Sequence, residues 1–565
     1  MTVWLPSWRR VLDTLFNFLV PETNNVSHLQ GKSLAYLSVV SSALCSTLVL
    51  SLAASTLLTL FPSTAYANNL AISNVEIKSE DNTANTVIIE FDISWSNAWS
   101  DSINHDAAWV FVKYSTVGTV PYSHATLKTA GTNPSGFSGG SFSTGVFNAI
   151  DFVVPTDKMG VFIKPAHQGA GTLSFTDVQV VWDYGADGIA DDVVSNGTAQ
   201  VQVSGIEMTY IADGGFTAGD QVSPPTAYGA NGQFELAGPG GETNQAPTVN
   251  SEGRIRFASA SNDAWYYNTD SGANDEAKGQ NFDVSESFPK GFQAFYLMKY
   301  EITQGQYKDF LNTLSTTQDA LLFPSQDGNS RHEMAGTAGS RTAIRPDRAM
   351  NFMTWPYLCA LADWSALRPI TELEFEKAAR GPLTPTLNEY AWGTTTKTAC
   401  TSLDLGGAET GAEVCNTGSG NINFGSNNIT GGDTPAANGP IRAGLFATSS
   451  SDTRAKAGAG YYGNMELSGN VSEQVVTLGT PEGRGFSGTH GDGEINTAGY
   501  ATNDDWPGFT AGTGVNGAVG TGERGGSFAD TTDALVTISN RTNAADEVSA
   551  ETDDRGGRLA RTANS

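Results

Sequence analysis

The sequence predicts a loop-rich α+β protein preceded by an antiparallel β-sandwich. Three observations lead there. Charged residues make up only 16% of the chain while 63 residues are glycine, which points to turns and long loops over a helical bundle. Short runs of alternating apolar and polar residues fill 68–204. Segments with helical periodicity are few and lie between 300 and 381. At 565 residues the chain exceeds one ordinary domain. We expect a leader over 1–67, the sandwich over 68–204 and a second folded domain over 205–565. With 39% hydrophobic and 10% aromatic residues, each has the means to bury a core.

In the leader, an almost uncharged apolar run from Ser33 to Leu60 follows Arg9, Arg10 and Lys32. It ends at Ala65-Tyr66-Ala67, a small-x-small pattern before Asn68. This reads as a secretory signal and predicts export, to the periplasm, the cell surface or the medium. The run is long enough to span a bilayer, so an uncleaved anchor is the alternative. Leu44 precedes Cys45 where a lipoprotein signal needs a small residue.

In the next region the runs VEIKS, TVIIEFDISW, AAWVFVKY, DFVVP, GVFIKP, TDVQVVWDY and AQVQVSG are separated by turn residues. Their β-branched and aromatic content predicts strands of a sandwich, with Trp95, Trp99 and Trp109 in its core. Asp183, Asp187, Asp191 and Asp192 crowd one turn. They lack the terminal Glu of an EF-hand loop, and an acidic turn is the plainer account.

The second domain opens with GIEMTYIADGGFTAGD from Gly205 and becomes polar and Gly-rich until FQAFYLMKYEITQGQYKDFLNTL. Tyr307, Phe310 and Leu311 stand at helical spacing. A second helix is expected in NFMTWPYLCALADWSAL, with Cys359 as a buried thiol. A third is expected in RPITELEFEKAARG, where Thr371 and Glu374 have the spacing of a capping box. Beyond Pro382 the chain is mostly Gly, Asn, Thr, Ser and Asp, and folds only if its loops are cross-braced.

A formal net charge of −28 argues against nucleic acid and anionic membrane surfaces as partners, because binding phosphate needs clustered Lys and Arg. Membrane contact is expected only through an uncleaved leader. After the leader three cysteines remain. Cys400 and Cys415 bracket a Gly-rich loop, and in an exported chain they predict a local disulfide.

Several motifs in order resemble the formylglycine-generating enzyme, or sulfatase-modifying factor, family. They are GIEMTYIADGGFTAGD, YEITQGQYKDF, RPITELEFE with AARG and YAWG, GYYGNMELSGNVSE, RGGSF from Arg524, and GGRL from Gly556. The resemblance covers roughly 205–562 and implies a C-type-lectin-like fold with little regular secondary structure and bound calcium. Carried over residue by residue, it implies calcium held by Glu466 and Glu473 with the carbonyls of Gly469 and Val471. A second site would fall near Asn421 and Ile422. Ser472 stands where the family usually has Trp.

The family's oxidases use two cysteines after the Gly-Gly-Ser motif to bind copper(I), a soft metal suited to thiolates. Here those positions are approximately Asp530 and Leu535, and no cysteine follows Cys415. The resemblance therefore predicts no formylglycine chemistry by that route and no catalytic residue. Iron-dependent relatives use three histidines. His105, His124, His167, His332 and His490 are scattered along this chain without local metal-ligand spacing. Copper and iron are accordingly not expected, and a divergent oxygen-dependent metalloenzyme is the alternative reading.

The same fold is similar to the variable proteins of diversity-generating retroelements, whose segment from Gly-Gly-Ser to the closing Gly-x-Arg forms a ligand-binding face. Here that interval, Phe528 to Arg561, mixes small polar residues around Leu535, Val536 and Ile538. This predicts a ligand-binding or display scaffold for a protein, peptide or glycan. Asp530, Thr531, Asp533, Asn540, Thr542 and Asn543 are its expected surface, and Ser527 and Arg558 its frame.

Overall fold

In the computed structural model, the described residues are 70–220, 232–243, 245–268, 274–403, 413–415, 420–426, 429, 438–448 and 453–563. The expected leader lies outside them. Among the described residues no helix is long and apolar enough to cross a membrane.

The alternating runs of the N-terminal region become two packed sheets. Strands β1 (Ala71–Asp81), β2 (Thr86–Ser100), β3 (Asp106–Ser115), β4 (Ile150–Val154), β5 (Val161–Pro165), β6 (Gly169–Trp182) and β7 (Gln200–Ile211) account for most of them. The first sheet has the order β1-β2-β6, with Ser141–Phe142 on its outer edge. Between the sheets lie Ile89, Phe91, Ile93, Trp95, Val110, Val112, Ile163, Leu173, Val180 and Trp182.

The second sheet continues into the rest of the chain. Its added strands are β8 (Phe295–Met298), β9 (Arg368–Pro369) and β13 (Leu559–Thr562), and the order is β9-β13-β8-β7-β3-β5-β4, with Gly131–Thr132 at the far edge. Strands β10 (Ser472–Val476), β11 (Thr521–Arg524) and β12 (Arg555–Gly556) form a separate three-stranded sheet in the order β11-β10-β12. Strand β7 pairs with β3 from Gln200↔Ser115 to Thr209↔Asp106, and with β8 from Met208↔Met298 to Ile211↔Phe295. The boundary expected between 204 and 205 lies inside this strand.

All ten residues of β3 are buried. Its even-numbered side, Ala108, Val110 and Val112, meets the first sheet. Ala107, Trp109 and Phe111 point the other way, into a core shared with the helices. This corrects the expectation that Trp95, Trp99 and Trp109 fill one sandwich core. Only Trp95 does so. Trp109 lies on the opposite face and its Nε1 donates to the Ser365 carbonyl at 2.9 Å, while Trp99 is partly exposed beside Lys299. Period-2 alternation fixes opposite faces within a strand, but residues 95 and 109 belong to different strands.

Helices α1 (Gln304–Leu311), α2 (Thr316–Leu322), α3 (Trp355–Trp364) and α4 (Glu372–Arg380) lie in the second half. Each of α1, α2 and α4 starts with a capping box; in α4 Thr371 accepts from the Glu374 N–H while Glu374 accepts from the Thr371 N–H. Tyr307, Phe310 and Leu311 are buried on α1, and Cys359 is a buried free thiol on α3. Helix α4 carries charge into the core. Glu372 pairs with Arg524 and Arg541, Glu376 with Arg524 and Arg380, and Glu374 with Arg368. Cys400 and Cys415 are joined by a disulfide. The acidic turn is bonded internally: Asp187 accepts from Trp182 Nε1, Asp191 from the Tyr184 hydroxyl, and Asp183 pairs with Lys128.

Candidate functional site

The loop entering β10 brings several polar groups into the core. Glu466 and Asn470 both adopt positive φ, +55° and +67°, and Gly469 between them has φ +80°. A non-glycine side chain in this region is costly and persists only where surrounding bonds fix it. Those bonds are present. The Asn470 side-chain oxygen accepts from Asn423 Nδ2 and the Ile441 N–H, both at 3.0 Å, and its Nδ2 donates to Glu301 Oε2 at 2.5 Å. The Gly469 N–H donates to the Gly525 carbonyl, and Phe528 N–H to the Asn470 carbonyl. The GNVSE loop is thereby stitched to the RGGSF loop.

Strand β10 then places Glu473 opposite Arg524 and Gly556. Arg558, two residues past Gly556, turns its guanidinium onto Glu473 Oε1 with contacts of 2.7 and 3.1 Å, and also donates to the Met465 and Met298 carbonyls. Glu466 Oε1 accepts from the Gly444 N–H at 2.8 Å, and Glu301 Oε1 from the Val471 N–H at 3.0 Å. Glu466 Oε2 and Glu473 Oε2 are buried without a hydrogen-bond partner. Gly525, at φ +82°, leaves space beside Glu473; a Cβ there would lie 2.5 Å from the Glu473 Oε2 atom.

Three carboxylates therefore share one dry region with Arg558. Burial pushes the Glu466 and Glu473 carboxyls up to about 7, against the pull of Arg558. Burial, then the two neighbouring carboxylates, raise Glu301 well above its ordinary value. Glu301 spends both oxygens on the loop backbone and Asn470. Glu466 and Glu473 each keep one oxygen free, and hard oxygen donors of this kind suit a calcium ion. Among the described residues no three His, Cys, Asp or Glu side chains are placed as a metal cage, so such an ion would draw further ligands from backbone carbonyls or water.

At the second expected site, Asn421 Oδ1 accepts from the Thr398 N–H and its Nδ2 donates to the Ala455 carbonyl. The Ile422 carbonyl accepts from the Cys400 N–H. These groups brace the disulfide-bearing loop.

The segment after Ser527 divides by exposure. Thr531, Asp533 and Asn543 are exposed, Asp530 and Thr542 are half-buried, and Ser527, Asn540 and Arg558 are buried. Asp530 Oδ2 accepts from the Ser527 N–H at 2.8 Å and its hydroxyl at 3.3 Å, closing the turn. Asp533 pairs with Lys397 at 2.8 Å. Asn540 Oδ1 accepts from the Thr542 N–H.

Among the described residues the histidines form no metal cluster. His105 contacts Tyr296, His124 the Met159 carbonyl, His167 Asn148, His332 Asn351, and His490 accepts from the Thr562 N–H.

Residues 276–563 match the family model of the sulfatase-modifying factor enzyme 1-like domain. The chain belongs to that family. No curated protein matches it. Within the sulfatase-modifying factor region, the matched span holds the GNVSE loop, the RGGSF loop and Arg558, while the GIEMTYIADGG strand lies upstream of it. The resemblance named Glu466 and Glu473 and did not name Glu301 and Asn470, whose bonds fix the loop between them, or Gly525, which lies against Glu473 Oε2. A signal for Glu301 was present: it is an acidic residue directly after the apolar run FYLM and Lys299-Tyr300.

Proposed function

We propose that this protein is an exported sulfatase-modifying factor family member that has kept the family's C-type-lectin-like frame as a ligand-binding or display scaffold. One observation carries the reading. The two positions that correspond approximately to the oxidases' thiolates are Asp530, which is hydrogen bonded to Ser527, and the apolar Leu535. Among the described residues the cysteines are engaged elsewhere: Cys400 is bonded to Cys415 and Cys359 is buried in α3. The segment itself rests on a braced turn and turns Thr531, Asp533 and Asn543 to solvent, which is how a rigid frame carries a recognition loop.

Calcium is the cation this reading includes. Glu466 and Glu473 would hold it through their unpartnered oxygens, with the Gly469 and Val471 carbonyls. The ion would supply positive charge that fixes the GNVSE loop against the RGGSF loop, and it takes no part in turnover. The partner is a protein, peptide or glycan surface rich in hydrogen-bonding groups. Diversification of the segment by a retroelement is part of the proposal, and genomic DNA tests it. A near-copy of the coding segment beside a reverse transcriptase, differing mainly at adenines, supports it; no such copy removes it.

The scaffold reading is tested by counting metals in the full-length protein purified with calcium. Stoichiometric calcium without copper or iron supports it. Stoichiometric copper or iron overturns it in favour of a divergent oxygen-dependent metalloenzyme.

A further inference from the structure

Asp106, Glu207 and Lys299 occupy three adjacent strands of the large sheet. Asp106 opens β3, Glu207 lies on the central β7, and Lys299 directly follows β8. Pairing puts Glu207 opposite Ala108, and the Lys299 N–H donates to the Glu207 carbonyl at 3.0 Å. Their side chains share the sandwich-facing side of the sheet, under Trp95 and Trp99. Lys299 Nζ lies 3.1 Å from Asp106 Oδ2, 3.2 Å from Glu207 Oε1 and 3.1 Å from the Asn97 carbonyl. Trp95 Nε1 and the Trp99 N–H hold the two Asp106 oxygens. All three are buried, with Lys299 4% exposed and the carboxylates 1% or less. Glu207 Oε2 has no partner.

An amine, a carboxyl group and a second carboxyl in contact with the amine, enclosed away from water, are the components of an amide-forming site. We propose that Lys299 and Asp106 form an intramolecular isopeptide bond, with Glu207 as the proton carrier. The resting ion pair first moves one proton from the Lys299 ammonium to the Asp106 carboxylate, giving a neutral amine and a neutral acid. Lys299 Nζ then attacks Asp106 Cγ. The N–Cγ bond forms and a Cγ–OH bond breaks. Glu207 accepts the Nζ proton on Oε1 and delivers its own proton from Oε2 to the departing hydroxyl, which leaves as water. Glu207 ends protonated as it began, and the reaction requires no oxidant or co-reactant.

The surroundings favour the proton carrier and oppose the first proton transfer. Burial raises the Asp106 carboxyl and pushes Glu207 up to about 8, so Glu207 holds a proton at neutral pH. Burial pulls Lys299 down, but Glu207, Tyr300 and Asp106, taken as anions, outweigh it and hold the ammonium well above its ordinary value; a protonated Glu207 gives up its share of that hold. The proton transfer is therefore the uphill step. Against it stands the cost of keeping an ion pair in a dry site, which a neutral amide removes. Fixed contact supplies the effective concentration that a condensation in water lacks. Strands β3 and β8 flank β7, so the bond would tie the N-terminal sheets covalently to the family domain.

The test is peptide mapping of the purified full chain after reduction and complete trypsin digestion. The expected result is one branched peptide joining the Asp106 and Lys299 segments, lighter than the two linear peptides together by one water, with no cleavage after Lys299. Lys299→Arg and Asp106→Ala abolish it, and Glu207→Gln makes it accumulate many-fold more slowly. Linear peptides alone, carrying unmodified Asp106 and Lys299, overturn the proposal. Undiminished bond formation in Glu207→Gln overturns the role of Glu207.

Discussion

Glu473 and Arg558 meet in the core through two contacts that both fall on Oε1, so the charge of Glu473 is partly met while its other oxygen stands unpaired. Removing one member of such a buried pair costs more than the pair contributes, because the survivor stays dehydrated and charged. A cation held by the unpartnered oxygens of Glu466 and Glu473, as proposed above, would relieve that state without displacing Arg558.

Calcium should therefore act as a stabilising ligand. At a hundredfold excess over its dissociation constant, the expected gain is about 2.7 kcal/mol. Thermal unfolding of the full chain with calcium and with chelator checks this. Glu466→Gln should abolish most of the difference, whereas an unchanged chelator response in that variant would remove Glu466 from the site.

The ion-pair ladder on α4 gives a second expectation. Glu372 is fully buried between Arg524 and Arg541. Glu372→Ala leaves two guanidiniums without their shared carboxylate and should cost about 3–5 kcal/mol, read as a shift in the denaturant midpoint. A loss below 1 kcal/mol (roughly the scale of an exposed pair) would mean that water enters this region.

Lys113 predicts a pH dependence. It is buried with its Nζ on the Gly493 carbonyl at 2.6 Å, and Asp363, Asp492, Glu494 and His124 lie around it. Burial lowers it to about 7 despite those carboxylates, below its ordinary 10.5. Between these values the unfolded chain binds more protons, so this residue makes stability rise with pH from about 7 towards 10 and lowers it as pH falls through 7. Asp363, raised by burial to about 7, contributes the opposite slope, from its ordinary 3.8 up to 7. Denaturant unfolding at pH 7, 8 and 9 should show a rise in the parent protein that Lys113→Met lacks. Equal slopes in the two proteins would refute the assignment.

The exposed segment predicts a separation of binding from stability. Thr531→Ala, Asp533→Ala and Asn543→Ala together should alter unfolding by about 0.5 kcal/mol or less per site. They should also abolish capture of a ligand selected on the parent protein. Retained affinity would place the recognition face elsewhere.

Local signals in the sequence carried well. The capping box of Thr371 and Glu374 and the helical spacing of Tyr307, Phe310 and Leu311 require only neighbours along the chain, and each forms as read. The layering was less legible. AAWVFV, from Ala107 to Val112, is continuously apolar, the pattern of a strand covered on both faces, and reading it as one half of a sandwich hid the core that Trp109 enters. In the candidate site, Glu466 and Glu473 were named only because the family resemblance carries them over. Glu301 lies 165 residues before Glu466, and only the fold brings its carboxylate to the Asn470 side chain. Lys299, Asp106 and Glu207 were illegible for the same reason, since register between strands is a tertiary property.

Strand β7 has a practical consequence for anyone cutting this gene into pieces. The matched family span begins at residue 276, after β7 has ended. A fragment trimmed to that span would deprive β8 of its neighbour and present a bare edge of unpaired N–H and C=O groups, an invitation to aggregate. It would also lack β3, whose Ala107, Trp109 and Phe111 help build the helical core. The catalogued domain is thus not a portable module here: expression should start upstream of Ala71, and the upstream sequence is part of the folding unit it precedes.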